Sequence, residues 1–283
     1  MEYKHASYIM DAENVAEMAR LIKQARQVTE ATDLLPAGIK QEDLHRILDI
    51  CCGPGEWALE MGKLQPSVQI EGIDISQIMV NYAQMCAQEQ KRSNVHFRVM
   101  DVHELPLDFP AGSFDLIHAR FLVALMKTSD WPALFAECLR LLRPGGSICC
   151  VETDDMGSSN SPSLYQHQLL GAQAMRQAGY GFPGEGISLG LIAALPDLLA
   201  KAGFKEVGQE SFEVDCSAGT PAHKPTCENW TTLLKLSDPF ISSQGIATKE
   251  ELAVLYARIM EEIYSDSFSC QVRLHRLWAQ KTF

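Results

Sequence analysis

The segment 46–58 combines an apolar run with closely spaced glycines, a pattern that suits ligand binding. Its sequence is Arg-Ile-Leu-Asp-Ile-Cys-Cys-Gly-Pro-Gly-Glu-Trp-Ala. We predict a short strand, a turn at Gly53 and Gly55, and a helix that begins at Glu56. At such a turn the backbone N–H groups can reach a ligand, because a residue without Cβ allows close approach. A nucleotide-like cofactor is the first hypothesis.

The positions of the carboxylates separate two classes of ligand. Gly53, Gly55 and Ala58 fit the G-x-G-x-x-G/A pattern of dinucleotide sites, and Asp74 stands where an acidic residue would meet a ribose hydroxyl. A single match of this kind is weak. Asp49 lies inside the first predicted strand, just before the turn. A carboxylate there suits the cationic end of an amino acid better than a pyrophosphate.

Five motifs in order make the chain resemble a known family. They are Leu48–Gly55 at the first loop, Gly72–Ser76 closing the second strand, Arg98–Val102 closing the third, Phe114–Arg120 at the fourth strand, and Leu142–Gly146 before the fifth. Together they resemble the class I S-adenosylmethionine-dependent methyltransferases over residues 46–152, and more weakly to the C-terminus. The nearest likeness is to the small-molecule branch that includes the ubiquinone and menaquinone methyltransferases. Cys51 departs from the family's usual first glycine, and we interpret it as a tolerated small residue.

The resemblance implies S-adenosyl-L-methionine as cofactor and S-adenosyl-L-homocysteine as product. Asp49 and the glycine turn would receive the methionine end, Asp74 the ribose hydroxyls, and Asp101 the adenine amino group. The expected cofactor contacts are Tyr8, Asp49, Cys51, Gly53, Gly55, Asp74, Ile75, Met79, Met100, Asp101, Val102 and His118.

Methyl transfer is an in-line displacement, so a base is needed only if the acceptor arrives protonated. His118 and Glu152 close the fourth and fifth predicted strands. We expect both to face the methyl position and one to orient or deprotonate the acceptor; a core-satisfied imidazole is the alternative for His118. Acceptor contacts are expected from Arg120, which could instead form an ion pair with Glu152, and from a lid-like segment with Tyr165, His167, Tyr180 and Phe182.

The acidic run Glu152, Asp154 and Asp155 raises the possibility of a magnesium site, as in some relatives of the family. Adjacent acidic residues in a turn are usually just solvated, so we expect no metal. The nine cysteines show no paired spacing typical of metal ligands. We interpret them as small apolar core residues.

The fold follows from alternating apolar strands and amphipathic helices. This alternation predicts an α/β, doubly wound, mostly parallel sheet of seven strands with helices on both faces, and ligands at the carboxyl ends of the strands. We expect one domain with a helical cap at 1–45, a cofactor-binding core at 46–152, a lid-like insertion at 153–190, and a C-terminal part of the sheet with added helices at 191–283.

The amino-acid composition and the net charge limit the kinds of partner that the protein can bind. The chain has 283 residues, 46% of them hydrophobic and 21% charged, with a net charge of −12. Such a charge disfavours general nucleic-acid binding. Residues 1–5 lead into a polar pattern, and no apolar stretch reaches the ~18 residues of a membrane span. We expect a cytoplasmic protein with a small-molecule acceptor; its oligomeric state does not follow from the sequence.

The leading hypothesis is methylation of a small molecule at O, N or C. Three alternatives stay open: an NAD(P)-dependent oxidoreductase, a protein or RNA methyltransferase, and a non-catalytic cofactor-binding protein on the same fold.

Overall fold

The computed structural model describes residues 8–282, so the segment 1–7 discussed above lies outside the described residues. The helices are α1 (Val15–Thr32), α2 (Glu56–Leu64), α3 (Gln77–Glu89), α4 (Trp131–Leu141), α5 (Pro162–Gln177), α6 (Leu191–Ala202), α7 (His223–Ser243) and α8 (Lys249–Ile263). The strands are β1 (Arg46–Ile50), β2 (Gln69–Asp74), β3 (Val95–Val99), β4 (Phe114–Arg120), β5 (Leu142–Glu152), β6 (Ser158–Ser159), β7 (Lys205–Asp215) and β8 (Cys270–Gln280).

The strands form one sheet in the order β3-β2-β1-β4-β5-β8-β6, with β7 also paired to β8. Strands β1 to β5 run parallel. Strand β8 runs antiparallel to β5 and β7. The predicted fold class is therefore confirmed, with the two-residue strand β6 as an addition that the sequence pattern did not indicate.

Alternate residues of the central strands feed two hydrophobic layers. On one face, Leu48 and Ile117 pack with Trp131 and Phe135 of α4. On the other face, Ile47 and Leu116 pack with residues of α2 and α3. Because both faces are covered, polar side chains of the central strands can meet a ligand only at the strand ends. The parallel strands therefore bring their carboxyl ends to one edge of the sheet.

Observed boundaries differ from the predicted ones mainly near turns. The Arg-Pro-Gly-Gly stretch, expected as a turn before the fifth strand, lies within β5, where the register with β4 shifts between Phe114 and Leu116. Helix α7 extends to Ser243 although it contains Pro239. The division of the chain into cap, core, lid and C-terminal part stays a prediction. In the part of the chain that the structure describes, no helix has the length and apolar character needed to cross a membrane.

The turn between β1 and α2 requires glycine at position 55. Gly55 has φ +80°, and a Cβ there would lie 2.6 Å from the ring of Phe97 and 2.8 Å from Ala83. The residue therefore serves both the left-handed backbone and the close packing of the turn against β3 and α3.

We expect Gly55→Ala to lower the free energy of unfolding by about 2 to 4 kcal/mol, since left-handed strain adds to overpacking. Gly245→Ala is the matched control, because Gly245 has φ +69° and a Cβ added there would meet nothing within 4 Å. That control should lose only about 1 kcal/mol. Urea titration measures both, and equal losses would show that the Phe97 contact does not constrain the turn.

Candidate functional site

A cavity of about 920 Å³ lies at the carboxyl edge of the sheet and continues between the added helices. We call its first part the strand-end cleft; it is lined by Cys51, Gly53, Asp74, Ile75, Met79, Met100, Asp101 and Val102. We call its second part the apolar chamber; it is lined by Met156, His167, Ala172, Met175, Leu189, Trp230, Leu233, Phe240 and Ile241. Tyr8 and one side of α1 also line the cavity.

The turn after β1 shapes the floor of the strand-end cleft. Cys51 adopts φ +54° and Gly53 φ +53°, although the Cβ of Cys51 makes that conformation less favourable than it is for glycine. A Cβ on Gly53 would meet nothing nearer than Leu21 at 3.9 Å. The Gly53 N–H was expected to be free to bind a ligand, but it donates to Asp74 Oδ2 at 2.8 Å. Helix α2 has no side-chain cap at its N-terminus, so it is this helix end that presents uncapped amides.

Asp74 ends β2 and is anchored at both oxygens. Oδ2 accepts from Gly53 N–H, and Oδ1 accepts from Ser76 N–H at 2.9 Å. Burial raises the pKa of Asp74 to about 6, against the opposing effect of these two hydrogen bonds. The carboxylate therefore has a fixed orientation and is mostly ionised at neutral pH.

Asp101 follows β3 and also lines the cleft. Its Oδ1 accepts from His103 N–H at 2.9 Å and lies 3.0 Å from His103 Nδ1. That hydrogen bond raises the pKa of His103. Asp74 and Asp101 thus line one cleft.

Asp49 and His118 form a buried pair behind the cleft. Asp49 Oδ1 lies 2.8 Å from His118 Nδ1, and the side chains are 4% and 1% exposed. The His118 ring stacks on Trp57 with centroids 3.6 Å apart and planes 5° apart. Burial lowers the pKa of His118 although Asp49 opposes this effect, so the imidazole is neutral and donates from Nδ1. Asp49 Oδ2 is buried and has no hydrogen-bond partner among residues 8–282.

Both expected bases are displaced from the cavity, which corrects their predicted placement. His118 does not line the cavity because Trp57 covers its ring. Glu152 is fully buried, and its carboxylate accepts from Leu122 N–H at 2.7 Å and Val123 N–H at 3.4 Å. Burial raises the pKa of Glu152 to about 8. Glu152 therefore holds the turn after β4 and is not on the wall of the cavity.

Arg120 lines the cavity but does not form the expected ion pair with Glu152. Its Nη1 donates to Thr29 Oγ1 at 3.1 Å and to the Ala25 carbonyl at 3.5 Å, both on α1. Burial lowers the pKa of Arg120 to about 10, while Asp49 is the first of the acidic groups that oppose this shift. The guanidinium is thus a half-buried cation beside the cleft without a carboxylate in ion-pair contact among the described residues.

The lid-like segment contributes one of its four expected residues to the cavity. His167 lines the apolar chamber, and its Nε2 lies 2.9 Å from Asp238 Oδ1. Tyr165 is 50% exposed on the outside of α5. Tyr180 packs edge-on against Phe240, and Phe182 lies against Trp131. These three side chains do not line the cavity, so their expected role as acceptor contacts is not supported by the geometry.

Two further expected cofactor contacts, Asp49 and Gly55, lie beside the cavity but not on its wall.

The acidic residues at the end of β5 and just after it form hydrogen bonds within the protein. Asp154 accepts from Ser188 Oγ and Ile192 N–H, and Asp155 accepts from Gly157 N–H. In residues 8–282 no group of three His, Cys, Asp or Glu side chains is arranged to hold a metal ion.

Sequence reasoning missed the polar network that holds α1 over the cavity. Glu17 is fully buried and accepts from Arg20 at 2.6 and 2.7 Å and from the Tyr8 hydroxyl at 2.5 Å. Arg20 also donates to Asn229 Oδ1 on α7 at 2.9 Å. The i, i+3 spacing of Glu17 and Arg20 is typical of an exposed helix pair. Neither residue lies on the stripe of apolar residues in α1, so no local pattern in the sequence indicated their burial.

The residue that precedes the N-cap of α1 ties this end of the helix to the opposite side of the cleft. Glu13 Oε1 accepts from Gln77 N–H at 2.9 Å and Oε2 from Ile78 N–H at 3.3 Å, at the start of α3. A carboxylate at this position also interacts favourably with the helix dipole. The segment 13–20 therefore connects α3, beside Asp74, with α7, beside the chamber.

We expect Glu17→Ala to cost about 3 to 5 kcal/mol, because it leaves the buried Arg20 guanidinium without its counter-charge. Glu228→Ala is the control. It removes the Lys23–Glu228 pair between the same two helices, whose side chains are 60% and 39% exposed, and should cost less than about 1 kcal/mol. Urea unfolding compares the two variants. Similar losses would contradict a stabilising role for the buried network.

Comparison with known proteins agrees with this architecture. Residues 47–146 match the family described as methyltransferase domain. A demethylmenaquinone methyltransferase of Lactococcus lactis is 33% identical over 108 residues, which cover 38% of this chain and 41% of that protein. The chain therefore spans less than half the length of this curated relative.

Two solved structures share the fold at lower sequence identity. The [4+2]-cyclase SpnF has a TM-score of 0.50 and 24% identity, covering 92% of this chain and 81% of its own. Phosphoethanolamine N-methyltransferase 2 of Haemonchus contortus, bound to S-adenosyl-L-methionine, has a TM-score of 0.52 and 20% identity, covering 92% of this chain and 52% of its own. Residues 47–146 thus resemble a methyltransferase domain, and the strand order and the strand-end carboxylates fit that likeness.

Proposed function

We propose that the protein transfers a methyl group from S-adenosyl-L-methionine to a small molecule bound in the apolar chamber. The observation that carries this proposal is the continuity of the cavity. Its strand-end cleft contains Asp74 and Asp101, and it opens into a chamber walled by α5 and α7. A donor in the cleft and an acceptor in the chamber would meet without crossing solvent.

The charges beside the cleft fit the amino-acid end of the cofactor. Asp49 Oδ2 is a buried acceptor without a donor in the described residues, and Arg120 is a cation without an ion-pair partner there. A carboxylate would satisfy Arg120, and an ammonium, directly or through a water, would satisfy Asp49. A dinucleotide would bring a pyrophosphate towards Asp49 instead, which would leave two like charges close together.

The strand-end cleft also offers suitable side chains for the nucleoside part of the cofactor. Asp74 is mostly ionised and fixed, so its remaining lone pairs can accept from two ribose hydroxyls. Met79 and Met100 offer polarisable apolar walls to an adenine ring. Asp101, after β3, supports the assignment of an acceptor for the adenine amino group. These assignments remain proposals for cofactor binding by this chain.

When bound, the cofactor supplies a methyl group already activated by a positively charged sulfur. The protein's contribution is then to hold the acceptor in line and keep water out. Positioning of this kind accounts for much of the rate enhancement in bimolecular reactions. Helix α1 covers the cavity and the lining of the chamber is mostly apolar, so both requirements are supported.

The rival functions differ in what they require. A protein or RNA acceptor needs an open groove, whereas the chamber lies inside the fold between α5, α7 and the sheet. The shared fold of a [4+2]-cyclase favours a second candidate, a reaction other than methyl transfer in the same chamber. Transfer of labelled methyl groups from the cofactor to small molecules of a cell extract distinguishes these possibilities, and absence of any labelled product would contradict the proposal.

We expect S-adenosyl-L-homocysteine to bind and NAD not to bind in calorimetry. Asp74→Ala should weaken S-adenosyl-L-homocysteine more than tenfold, about 1.4 kcal/mol or above, through loss of charge-assisted hydrogen bonds. Asp108→Ala, whose side chain is 94% exposed, is the control. Preferential binding of NAD would contradict the proposed cofactor.

The pKa of Asp74, about 6, adds a pH dependence of binding. Protonation removes acceptor capacity, so affinity should fall about tenfold between pH 7 and pH 5 in the wild type and stay flat in Asp74→Ala. The contribution of Asp74 to folding stability changes with pH in the opposite direction. Its pKa is raised from 3.8, so the folded protein binds the proton more tightly than the unfolded chain, and this carboxyl favours folding as the pH falls from 7 towards 4. Protonation of Asp74 does not destabilise the folded protein, so a loss of affinity at pH 5 is not caused by unfolding through this group.

We expect Arg120→Met to weaken S-adenosyl-L-homocysteine about tenfold, roughly 1.4 kcal/mol, while adenosine binds as in the wild type. Adenosine lacks the amino-acid carboxylate that Arg120 is proposed to bind. Calorimetry with both ligands gives the comparison. Equal losses for the two ligands would assign Arg120 to holding α1 through Thr29 instead.

A further inference from the structure

The apolar chamber contains one ionisable pair that the cofactor does not use. His167 of α5 is 3% exposed and lines the chamber. Its Nε2 lies 2.9 Å from Asp238 Oδ1 on α7. Burial of an imidazole and a carboxylate beside a largely apolar cavity costs free energy unless the polar atoms are paired. The pair therefore calls for an explanation beyond packing.

Three other polar side chains that line the chamber are hydrogen-bonded within the protein. Gln168 accepts from Met156 N–H and donates to the Gly157 carbonyl. Thr226 donates to Cys216 Sγ, and Ser237 donates to the Leu234 carbonyl. The hydrogen bond of the His167 ring within residues 8–282 is made by Nε2, to Asp238. Nδ1 is therefore available to meet a molecule in the chamber.

Asp238 sets the proton on the imidazole. A carboxylate can only accept, so an imidazole that carries a single proton holds it on Nε2, towards Asp238, and leaves Nδ1 as an acceptor. His167, Gly171, Ala172 and Met175 share the chamber-facing side of α5, and Trp230, Leu233 and Phe240 face them from α7. Nδ1 therefore belongs to a wall whose other members are mainly apolar.

We propose that His167, oriented by Asp238, is the catalytic base that takes a proton from the acceptor, and that the acceptor is an apolar, ring-sized molecule bearing a weakly acidic hydroxyl. This inference rests on the proposed function and identifies the acceptor side of the same site. The acceptor O–H bond breaks and its proton passes to Nδ1, while the oxygen bonds to the methyl carbon as the carbon–sulfur bond breaks. The resulting imidazolium is balanced by Asp238 and loses its proton to solvent when the product leaves.

This role replaces the one expected for His118 and Glu152. Both of those residues are engaged behind the cavity wall, by Trp57 and Asp49 in one case and by backbone amides in the other. Asp238 acts through His167 and is a positioning residue.

The test uses 4-nitrophenol, whose phenolate has its own visible absorbance, at a pH where the free phenol is mostly protonated. The wild-type protein is titrated with and without S-adenosyl-L-homocysteine. Binding should raise the phenolate fraction, because Nδ1 accepts the phenol proton and the imidazolium then faces the anion. With labelled methyl donor, phenols that are turned over give kcat and KM separately.

Two variants keep the hydrogen bond between the helices and remove the base. In His167→Gln the amide nitrogen replaces Nε2 as donor to Asp238. In Asp238→Asn the amide donates to Nε2, which moves the ring proton to Nδ1. Each should bind the probe without ionising it and lower kcat about 100-fold at nearly unchanged KM, as expected for loss of a general base. Urea midpoints close to the wild type would show that both variants fold.

The outcomes separate this inference from the proposed function. Binding of S-adenosyl-L-homocysteine without binding or ionisation of the phenol overturns the assignment of His167 and leaves the proposed function standing. Equal ionisation in the wild type and both variants overturns it as well. Failure of S-adenosyl-L-homocysteine to bind contradicts the proposed function, and the titration without it still decides whether His167 ionises the phenol.

Discussion

The buried contact of Asp49 and His118, covered by Trp57, holds together the three elements on which the strand-end cleft depends. Asp49 comes from β1, His118 from β4, and Trp57 from the first turn of α2. Because Trp57 also donates from its indole N–H to the Leu34 carbonyl at 3.1 Å, the start of α2 is fixed relative to both strands. The glycine turn between β1 and α2 then has one arrangement, and Asp74 is anchored on it. Loss of any of these three side chains would loosen the cleft from behind.

The architecture and the strand-end aspartates could be predicted because they follow from periodicity and spacing. Alternating apolar strands and helices imply a covered parallel sheet, and residues such as Asp74 and Asp101 close their strands by position alone. The surroundings of His118 could not be predicted in the same way. Whether His118 faces a ligand depends on Trp57, which is distant in sequence from His118 and covers it only after α2 has packed.

Long-range pairing explains the remaining differences between expectation and structure. His167 acquires its partner, Asp238, from a helix that follows β7, and no local pattern connects the two residues. Glu152 was expected to be catalytic because it ends β5, yet the turn after β4 supplies backbone donors that bury it. Tyr165 and Phe182 are on the predicted lid segment, but the α5 surface that reaches the cavity is the one with His167 and Met175. The fold thus follows from patterns among residues that are close in sequence, whereas the side-chain contacts around the cavity come from residues that are far apart in sequence.

The attachment of α1 to both α3 and α7 has a consequence for access to the cavity. Glu13, just before α1, binds the start of α3, and Arg20 of α1 binds Asn229 of α7, so this segment lies across both parts of the cavity. In the proposed reaction, a displacement of α1 would widen both parts of the cavity together, and the strength of its two anchors would then influence kcat, as in enzymes whose lid opening rather than chemistry sets the turnover rate.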